Sequence, residues 1–180
     1  MATNLERWIE VVVEIPSGSR NKYEYDHRRA RFVLDRVLYS SVHYPADYGF
    51  LDGSLAEDGD PLDVLVLISA PTFAGCIVRA RPLGVLDMAD DKGHDYKILA
   101  IARDDPRWER MAALEDLAPH VLLEIENFFE TYKLLERRPT SVKGWLPADE
   151  AWRIIADALA RGERVARGIE PAGAESGTWR

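Results

Sequence analysis

Three carboxylates crowd directly in front of an apolar run in the middle of the chain. The hexapeptide Asp-Gly-Asp-Pro-Leu-Asp at 58–63 is followed at once by Val-Leu-Val-Leu-Ile at 64–68. The apolar run has the length and β-branched content of a core strand, and Pro61 excludes a regular helix through the cluster. Like charges at such a place are costly unless a cation relieves them, and Mg²⁺ prefers oxygen ligands. The hexapeptide therefore predicts a divalent metal site at a strand end, with a plain acidic loop as the open alternative.

A calcium loop of the EF-hand type does not fit the same residues. That loop requires Gly at its sixth position and a bidentate Glu at its twelfth. Counting from Asp58, these positions hold Asp63 and Ser69. The hexapeptide is therefore not an EF-hand.

A second acidic segment has the sequence Asp-Met-Ala-Asp-Asp-Lys-Gly-His-Asp at 87–95. It lies between the apolar-rich residues 77–86 and the strand-like residues 98–101. By itself it is typical of a solvated hairpin turn, because Asp, Gly and Lys are ordinary turn residues. Two predicted strand ends nevertheless carry carboxylates.

Basic side chains within predicted strands indicate an anionic ligand. Strand alternation places Lys22, Glu24 and Asp26 on one face, and Arg36 follows the strand-like residues 32–35. An exposed polar face with incidental ion pairs stays open for each of them. Taken together, they favour an anion.

Aromatic residues mark a turn, and two amphipathic patterns predict helices. Tyr44 and Tyr48 lie in a turn that contains Pro and Gly, where their phenols either donate hydrogen bonds to a ligand or simply pack in the core.

Apolar residues recur at helical spacing in two stretches, and a proline can begin each helix. The stripes are Val121, Ile125, Phe128, Tyr132 and Leu135 after Pro119, and Trp152, Ile155 and Leu159 after Pro147.

Composition is typical of a compact single domain. The chain has 180 residues, 47% of them hydrophobic, and a net charge of -8. It contains no apolar run of about 18 residues, and residues 1–6 lack the features of a signal peptide, so we expect a cytoplasmic protein without a membrane span. Cys76 is the only cysteine, which excludes an internal disulfide. We expect one domain over 1–167 and a mobile tail over 168–180, where periodicity is lost.

The ordered set of motifs resembles the family I soluble inorganic pyrophosphatases of bacterial type. The resemblance covers roughly residues 8 to 160. It rests on the hexapeptide and on five further motifs, which are Glu-Ile-Pro at 14–16, Lys-Tyr-Glu at 22–24, Tyr-Pro-Ala-Asp-Tyr-Gly at 44–49, residues 90–97, and Phe-Phe-Glu-Thr-Tyr-Lys at 128–133.

The resemblance implies a fold, an activity and an assembly. The expected fold is α+β but mainly β, a closed five-stranded OB-like β-barrel flanked by two helices. The expected reaction is hydrolysis of pyrophosphate to two phosphates by metal-activated hydroxide, with several Mg²⁺ ions for which Mn²⁺ or Zn²⁺ can substitute. The expected assembly is a homohexamer.

The resemblance also implies a role for each matched residue. Asp60 is expected to be the general base, with Tyr48 beside the nucleophile. The expected metal ligands are Asp58, Asp63, Asp90 and Asp95. The expected phosphate ligands are Lys22, Arg36, Lys97, Tyr132 and Lys133. Auxiliary positions are expected at Glu14, Glu24, Tyr44 and Asp91. Asp91 departs from the bacterial pattern, which often has the longer Glu there.

Two other functions stay open at this point. OB-like barrels often bind single-stranded nucleic acid, but that requires a basic groove, and the net charge of -8 argues against one. A metal-dependent hydrolase of another phosphoanhydride would share much of the site. Oligonucleotide binding without Mg²⁺ would indicate the first alternative, and phosphate release from nucleotides the second.

Overall fold

The structure is a computed structural model and describes residues 6–90 and 93–169. The elements, in chain order, are β1 (Ile9–Ile15), β2 (Asn21–Asp26), β3 (Arg31–Val37), β4 (Asp47–Leu51), β5 (Asp63–Leu67), β6 (Ile77–Asp90), β7 (Gly93–Ala102), α1 (Pro119–Thr131), β8 (Thr140–Pro147) and α2 (Ala148–Ala166). Short 3-10 turns lie at Leu114–Asp116 and Leu134–Glu136.

Five of the strands close into a ring. The main sheet has the order β1-β4-β5-β7-β6-β8, and an additional pairing of β1 with β6 closes the first five strands on themselves. Strand β8 extends the sheet on the outer side of β6, while β2 and β3 form a separate two-stranded hairpin. The predicted closed five-stranded barrel with two helices is confirmed.

Alternate residues of the central strands enter two different hydrophobic clusters. Leu65 and Leu99 pack in the cluster that includes α1, whereas Val64 and Ile98 pack in the cluster that includes α2. Because both faces of β5 and β7 are covered, these strands are apolar without interruption. The apolar run that follows the hexapeptide is therefore a buried central strand.

The first helix is shorter than its apolar stripe predicts. Helix α1 ends at Thr131, Tyr132 is its C-cap, and Leu135 lies in the following 3-10 turn with 64% of its surface exposed. Arg137 takes a left-handed conformation with φ of 57° and leads the chain toward β8. The second helix begins after Pro147, as predicted. No helix within residues 6–90 and 93–169 is long and apolar enough to cross a membrane.

Gly49 is a strand residue and not the turn residue that its sequence context indicates. It lies inside β4, where a Cβ atom would overlap the carbonyl oxygen of Val12 on β1. The two strands can therefore approach this closely only without a side chain at Gly49.

We expect Gly49→Ala to destabilise the fold strongly. The overlap is with backbone, so the barrel itself must shift, and we expect a loss of about 3 kcal/mol in the free energy of unfolding. Gly18→Ala is the matched control, because Gly18 has φ of 80° but open space around it. Only a strain of about 1 kcal/mol is expected there. Urea unfolding measures both, and equal losses would contradict the close-approach explanation.

Candidate active site

One cleft collects nearly all of the predicted site residues. Its volume is about 520 Å³. Lining residues come from the hairpin β2–β3, from the ends of β5, β6 and β7, and from the chain just after α1. The predicted residues that line it are Glu14, Lys22, Glu24, Arg36, Tyr48, Asp58, Asp60, Asp63, Asp90, Asp95, Lys97, Tyr132 and Lys133.

Lys97 joins two of the predicted metal ligands. Strands β5 and β7 run parallel with Asp63 opposite Lys97, so their side chains emerge side by side. The Lys97 ammonium group contacts the Asp63 carboxylate and lies 2.6 Å from Asp95 Oδ1. Only 3% of Lys97 is exposed. Burial alone would lower the pKa of Lys97, but the charges of Asp63 and Asp95 outweigh it and hold the pKa well above its ordinary value.

Asp95 and Tyr48 lie in the same buried region. Burial raises the pKa of Asp95 to about 6, against the opposing effect of the Lys97 charge. Burial, reinforced by the charges of Asp63 and Asp95, also holds the pKa of the Tyr48 phenol well above its ordinary range. The Lys97 ammonium stands 5.7 Å from the centre of the Tyr48 ring, within cation–π range. Tyr48 is therefore a protonated phenol beside the charged groups.

Hydrogen bonds within the loop fix the Asp58–Asp60 turn. Gly59 has φ of 91°, a conformation that favours glycine. Asp58 Oδ1 accepts a hydrogen bond of 3.1 Å from the Asp60 amide, and the Asp60 carbonyl accepts one of 2.7 Å from Ala56. Burial raises the pKa of Asp58. The turn thus presents two carboxylates to the cleft from a fixed backbone.

The chain after α1 supplies a second lysine. Lys133 Nζ donates to Asp90 Oδ2 over 2.7 Å, and both side chains are buried. It also lies 5.2 Å from the centre of the Tyr132 ring. Burial would lower the pKa of Lys133, but Tyr132 and Asp90 raise it above its ordinary value. A lysine beside an apolar helical stripe commonly extends to solvent, and the contact with Asp90 explains why Lys133 does not.

The hairpin contributes Lys22 and Arg36. Lys22 contacts Glu24 and lies 3.4 Å from Asp35 Oδ2. Arg36 contacts Asp35 and donates through Nε to Glu136 Oε1 over 3.0 Å. Arg36 Nη2 is buried and, among the residues that the structure describes, has no hydrogen-bond partner. A buried guanidinium nitrogen without an acceptor is suited to an anionic ligand.

Irregular strand pairing places two carboxylates in the cleft. The register of β1 against β4 shifts between Val13 and Ile15, which makes Glu14 an additional residue. Glu14 Oε1 accepts a 2.7 Å hydrogen bond from the Tyr25 amide, and burial raises the pKa of Glu14 to about 8. The register of β3 against β2 likewise skips Asp35. Such bulges re-aim side chains and are frequent beside active sites.

Several cleft residues were not predicted from the sequence. Those that line the cleft are Tyr25, His27, Asp35, Phe50, Pro61 and Arg138. Regular alternation puts Asp35 on the face opposite Arg36, and only the bulge brings both to one side. Glu136 is separated from Arg36 by 100 residues, so no local pattern could pair them.

Two predicted auxiliary residues are not among those that line the cleft. Tyr44 is buried behind Tyr48, with ring centroids 5.3 Å apart, and packs against Phe128 at 4.8 Å. Asp91 lies outside the described residues, as do residues 170–180 of the predicted tail.

The donor chemistry of the cleft fits divalent metal ions. Eight carboxylates and five Lys or Arg side chains line it, so negative charge is in excess. As they stand, no three Asp, Glu, His or Cys side chains of residues 6–90 and 93–169 are grouped as a ready-made metal site. Burial is the main reason that the pKa values of Glu14, Asp58 and Asp95 are raised, so a cation that enters the cleft would stabilise their charged forms. Carboxylate oxygens are the donors that hard cations such as Mg²⁺ prefer.

A closed barrel with carboxylates and cations interleaved at one end defines a site for an anion bound together with metal ions. Comparison with known proteins agrees with that class. The family model described as inorganic pyrophosphatase matches residues 11–163. The inorganic pyrophosphatase of Methanosarcina mazei is 51% identical over 157 residues, which cover 87% of this chain and 93% of that protein. That of Nostoc sp. is 50% identical over 147 residues, which cover 82% and 87%.

Solved structures lead to the same family. The inorganic pyrophosphatase of Thermus thermophilus superposes with a TM-score of 0.86 at 41% identity, covering 88% of this chain and 92% of that one. That of Helicobacter pylori gives a TM-score of 0.84 at 40% identity, covering 87% and 94%. The chain belongs to the inorganic pyrophosphatase family, a family of metal-requiring enzymes.

Proposed function

We propose that this chain hydrolyses pyrophosphate to two phosphates in a Mg²⁺-dependent reaction at the cleft. The observation that carries the proposal is the interleaving of eight carboxylates with five Lys or Arg side chains around one space. Cations alone would suit a simple anion site, and carboxylates alone would suit a metal. Both together suit a highly charged anion that binds with metal ions. Family membership supplies the identity of that anion.

Four cationic side chains and one phenol are proposed to bind the phosphate oxygens. Lys22 and Arg36 would act from the hairpin, Lys97 from β7, and Tyr132 and Lys133 from the chain after α1. Each lysine already contacts a carboxylate, which fixes the position of its ammonium group before substrate arrives. Prior positioning of this kind reduces the cost of binding in the reactive geometry.

Asp60 is proposed to take the proton from the attacking water. Its backbone is fixed at both the amide and the carbonyl, so the carboxylate is presented from a rigid turn. A proton acceptor must lie within hydrogen-bond reach of the proton that it removes, and a fixed turn favours that. Tyr48, kept protonated by burial, would donate a hydrogen bond near the same position.

The proposed metal ligands are Asp58, Asp63, Asp90 and Asp95, with Glu14 and Glu24 as auxiliary groups. The chemistry that bound Mg²⁺ supplies is neutralisation of phosphate charge and a lower pKa for coordinated water. Mn²⁺ or Zn²⁺ are proposed substitutes. We further propose a homohexamer and a cytoplasmic location, both supported by the family resemblance.

Phosphate release tests the proposal directly. We expect release from pyrophosphate with Mg²⁺, none with EDTA, and inhibition when Ca²⁺ is added to the Mg²⁺ reaction. Calcium accepts the same oxygen ligands but prefers a larger and looser coordination sphere than in-line attack requires. ATP is the control substrate for phosphate release, and binding of a single-stranded oligonucleotide without Mg²⁺ is the control for the nucleic-acid alternative. Turnover with Ca²⁺ equal to that with Mg²⁺ would contradict the geometric argument, and faster release from ATP would favour another phosphoanhydride.

A further inference from the structure

Helix α2 holds the loop that carries Asp58 and Asp60, although α2 itself contributes no residue to the cleft. Leu55 lies in this loop, and both of its backbone polar groups are bound by the helix. The Leu55 amide donates to the Ala158 carbonyl over 3.0 Å, and Arg161 Nη1 donates to the Leu55 carbonyl over 2.6 Å. The backbone three residues before Asp58 is thus attached to α2.

Gly162 brings the same helix against the start of the loop. A Cβ atom there would overlap the carbonyl oxygen of Gly53. Helix and loop therefore approach at backbone distance, with no side chain between them. The overlapping atom belongs to backbone, so the contact cannot be relieved by rotating a side chain.

Ser54 closes the loop at its base. Ser54 is buried, its Oγ donates to the Leu51 carbonyl over 2.5 Å, and it accepts a 2.9 Å bond from the Leu62 amide. The outer part of the loop, by contrast, is held from outside through Leu55. Displacement of Leu55 would therefore be transmitted to the Asp58–Asp60 turn.

A small cavity of about 90 Å³ separates the turn from the helix. Asp58 and Asp95 border it from the cleft side, and Arg153 and Arg161 border it from α2. Asp58 therefore has the cleft on one side and this cavity on the other. Without the Arg161 bond, the loop has space behind it into which Asp58 could move.

We propose that Arg161, with Gly162, is a positioning residue that sets the metal affinity of the cleft by fixing the Asp58–Asp60 turn. The proposal rests on the proposed role of Asp58 as a metal ligand. Groups that orient metal ligands from outside typically contribute about 10- to 100-fold to metal affinity. Arg161 does this through the backbone of Leu55 and does not touch the metal or the substrate.

Isothermal titration calorimetry with MgCl₂ on the full chain, without pyrophosphate, tests the proposal. We expect Arg161→Ala to weaken Mg²⁺ binding about 10-fold. Arg161→Lys, which keeps one donor for the Leu55 carbonyl, should restore most of the affinity. Gly162→Ala displaces the loop independently and should also weaken Mg²⁺ binding.

Arg153→Ala is the matched control. Arg153 lies on the same helix and borders the same cavity, but its bonds go to Glu150 and Asp157 on the helix itself. The Arg153→Ala variant should bind Mg²⁺ with the affinity of the wild type. Melting temperatures without metal show whether each variant folds. If Arg161→Ala fails to fold, the proposal is judged on Arg161→Lys and Gly162→Ala.

Two results would overturn the proposal. One is unchanged Mg²⁺ affinity in the Arg161 and Gly162 variants, whether or not their melting temperatures fall. A contact that only stabilises the fold would lower the melting temperature without changing Mg²⁺ affinity. The other is equal weakening in Arg153→Ala. A wild-type protein that binds Mg²⁺ but does not hydrolyse pyrophosphate would refute the proposed function while leaving the Arg161 comparison valid.

Discussion

Asp60→Asn is expected to lose about 10²- to 10⁴-fold in turnover at every Mg²⁺ concentration, the contribution typical of a positioned general base. The amide keeps the shape of the side chain but cannot accept the proton. The backbone bonds of the turn do not involve the Asp60 side chain, so the fold should be preserved. The measurement is phosphate release against Mg²⁺ concentration, with Mg²⁺ binding by calorimetry on the same protein.

Asp58→Asn and Asp63→Asn are the matched controls for this substitution. They replace carboxylates in the same hexapeptide, but as proposed metal ligands their loss should weaken Mg²⁺ binding. Part of their activity should therefore return as Mg²⁺ is raised. Full rescue of Asp60→Asn by Mg²⁺ alone would make Asp60 a metal ligand and leave the general base unidentified.

Lys97→Met is expected to lower turnover by about 10²- to 10³-fold, because a preorganised donor to developing charge contributes that much to the rate. The same substitution is expected to strengthen Mg²⁺ binding. The substitution removes a buried positive charge between Asp63 and Asp95. Those two carboxylates then repel each other, and a cation relieves them. Mg²⁺ should accordingly raise the melting temperature of the variant more than that of the wild type.

Lys133→Met is the comparison for Lys97. It also removes a buried lysine paired with one carboxylate, Asp90, but leaves the Asp63–Lys97–Asp95 group intact. Its effect on Mg²⁺ binding should be smaller. Weaker Mg²⁺ binding in Lys97→Met than in the wild type would contradict the view that the ammonium and the metal share these two carboxylates.

The parts of the site that the sequence predicts are those determined locally. The hexapeptide and the buried strand that follows it need only an apolar run and a proline to be placed. Lys97 is assigned to the site only through the resemblance. Helix α2 begins where its capping proline indicates. Closure of the barrel followed from the resemblance and is confirmed by the pairing of β1 with β6.

The remaining features depend on tertiary contacts that no local pattern contains. Asp35 enters the cleft through a bulge, which breaks the alternation used to assign faces. Glu136 meets Arg36 from 100 positions along the chain, a pairing that only the tertiary fold produces. Gly49 resembles a turn residue until the approach of Val12 is known. The roles of the individual carboxylates stay predictions.

The proposed activity is tested most directly by ³¹P NMR of pyrophosphate and phosphate, with the wild type and Asp60→Asn in parallel at saturating Mg²⁺. We expect the wild type to convert each pyrophosphate into two phosphates, and Asp60→Asn to give the same product about 10²- to 10⁴-fold more slowly. A pyrophosphate signal that persists with the wild type would contradict the proposed activity. Equal rates for the two proteins would contradict the proposed role of Asp60.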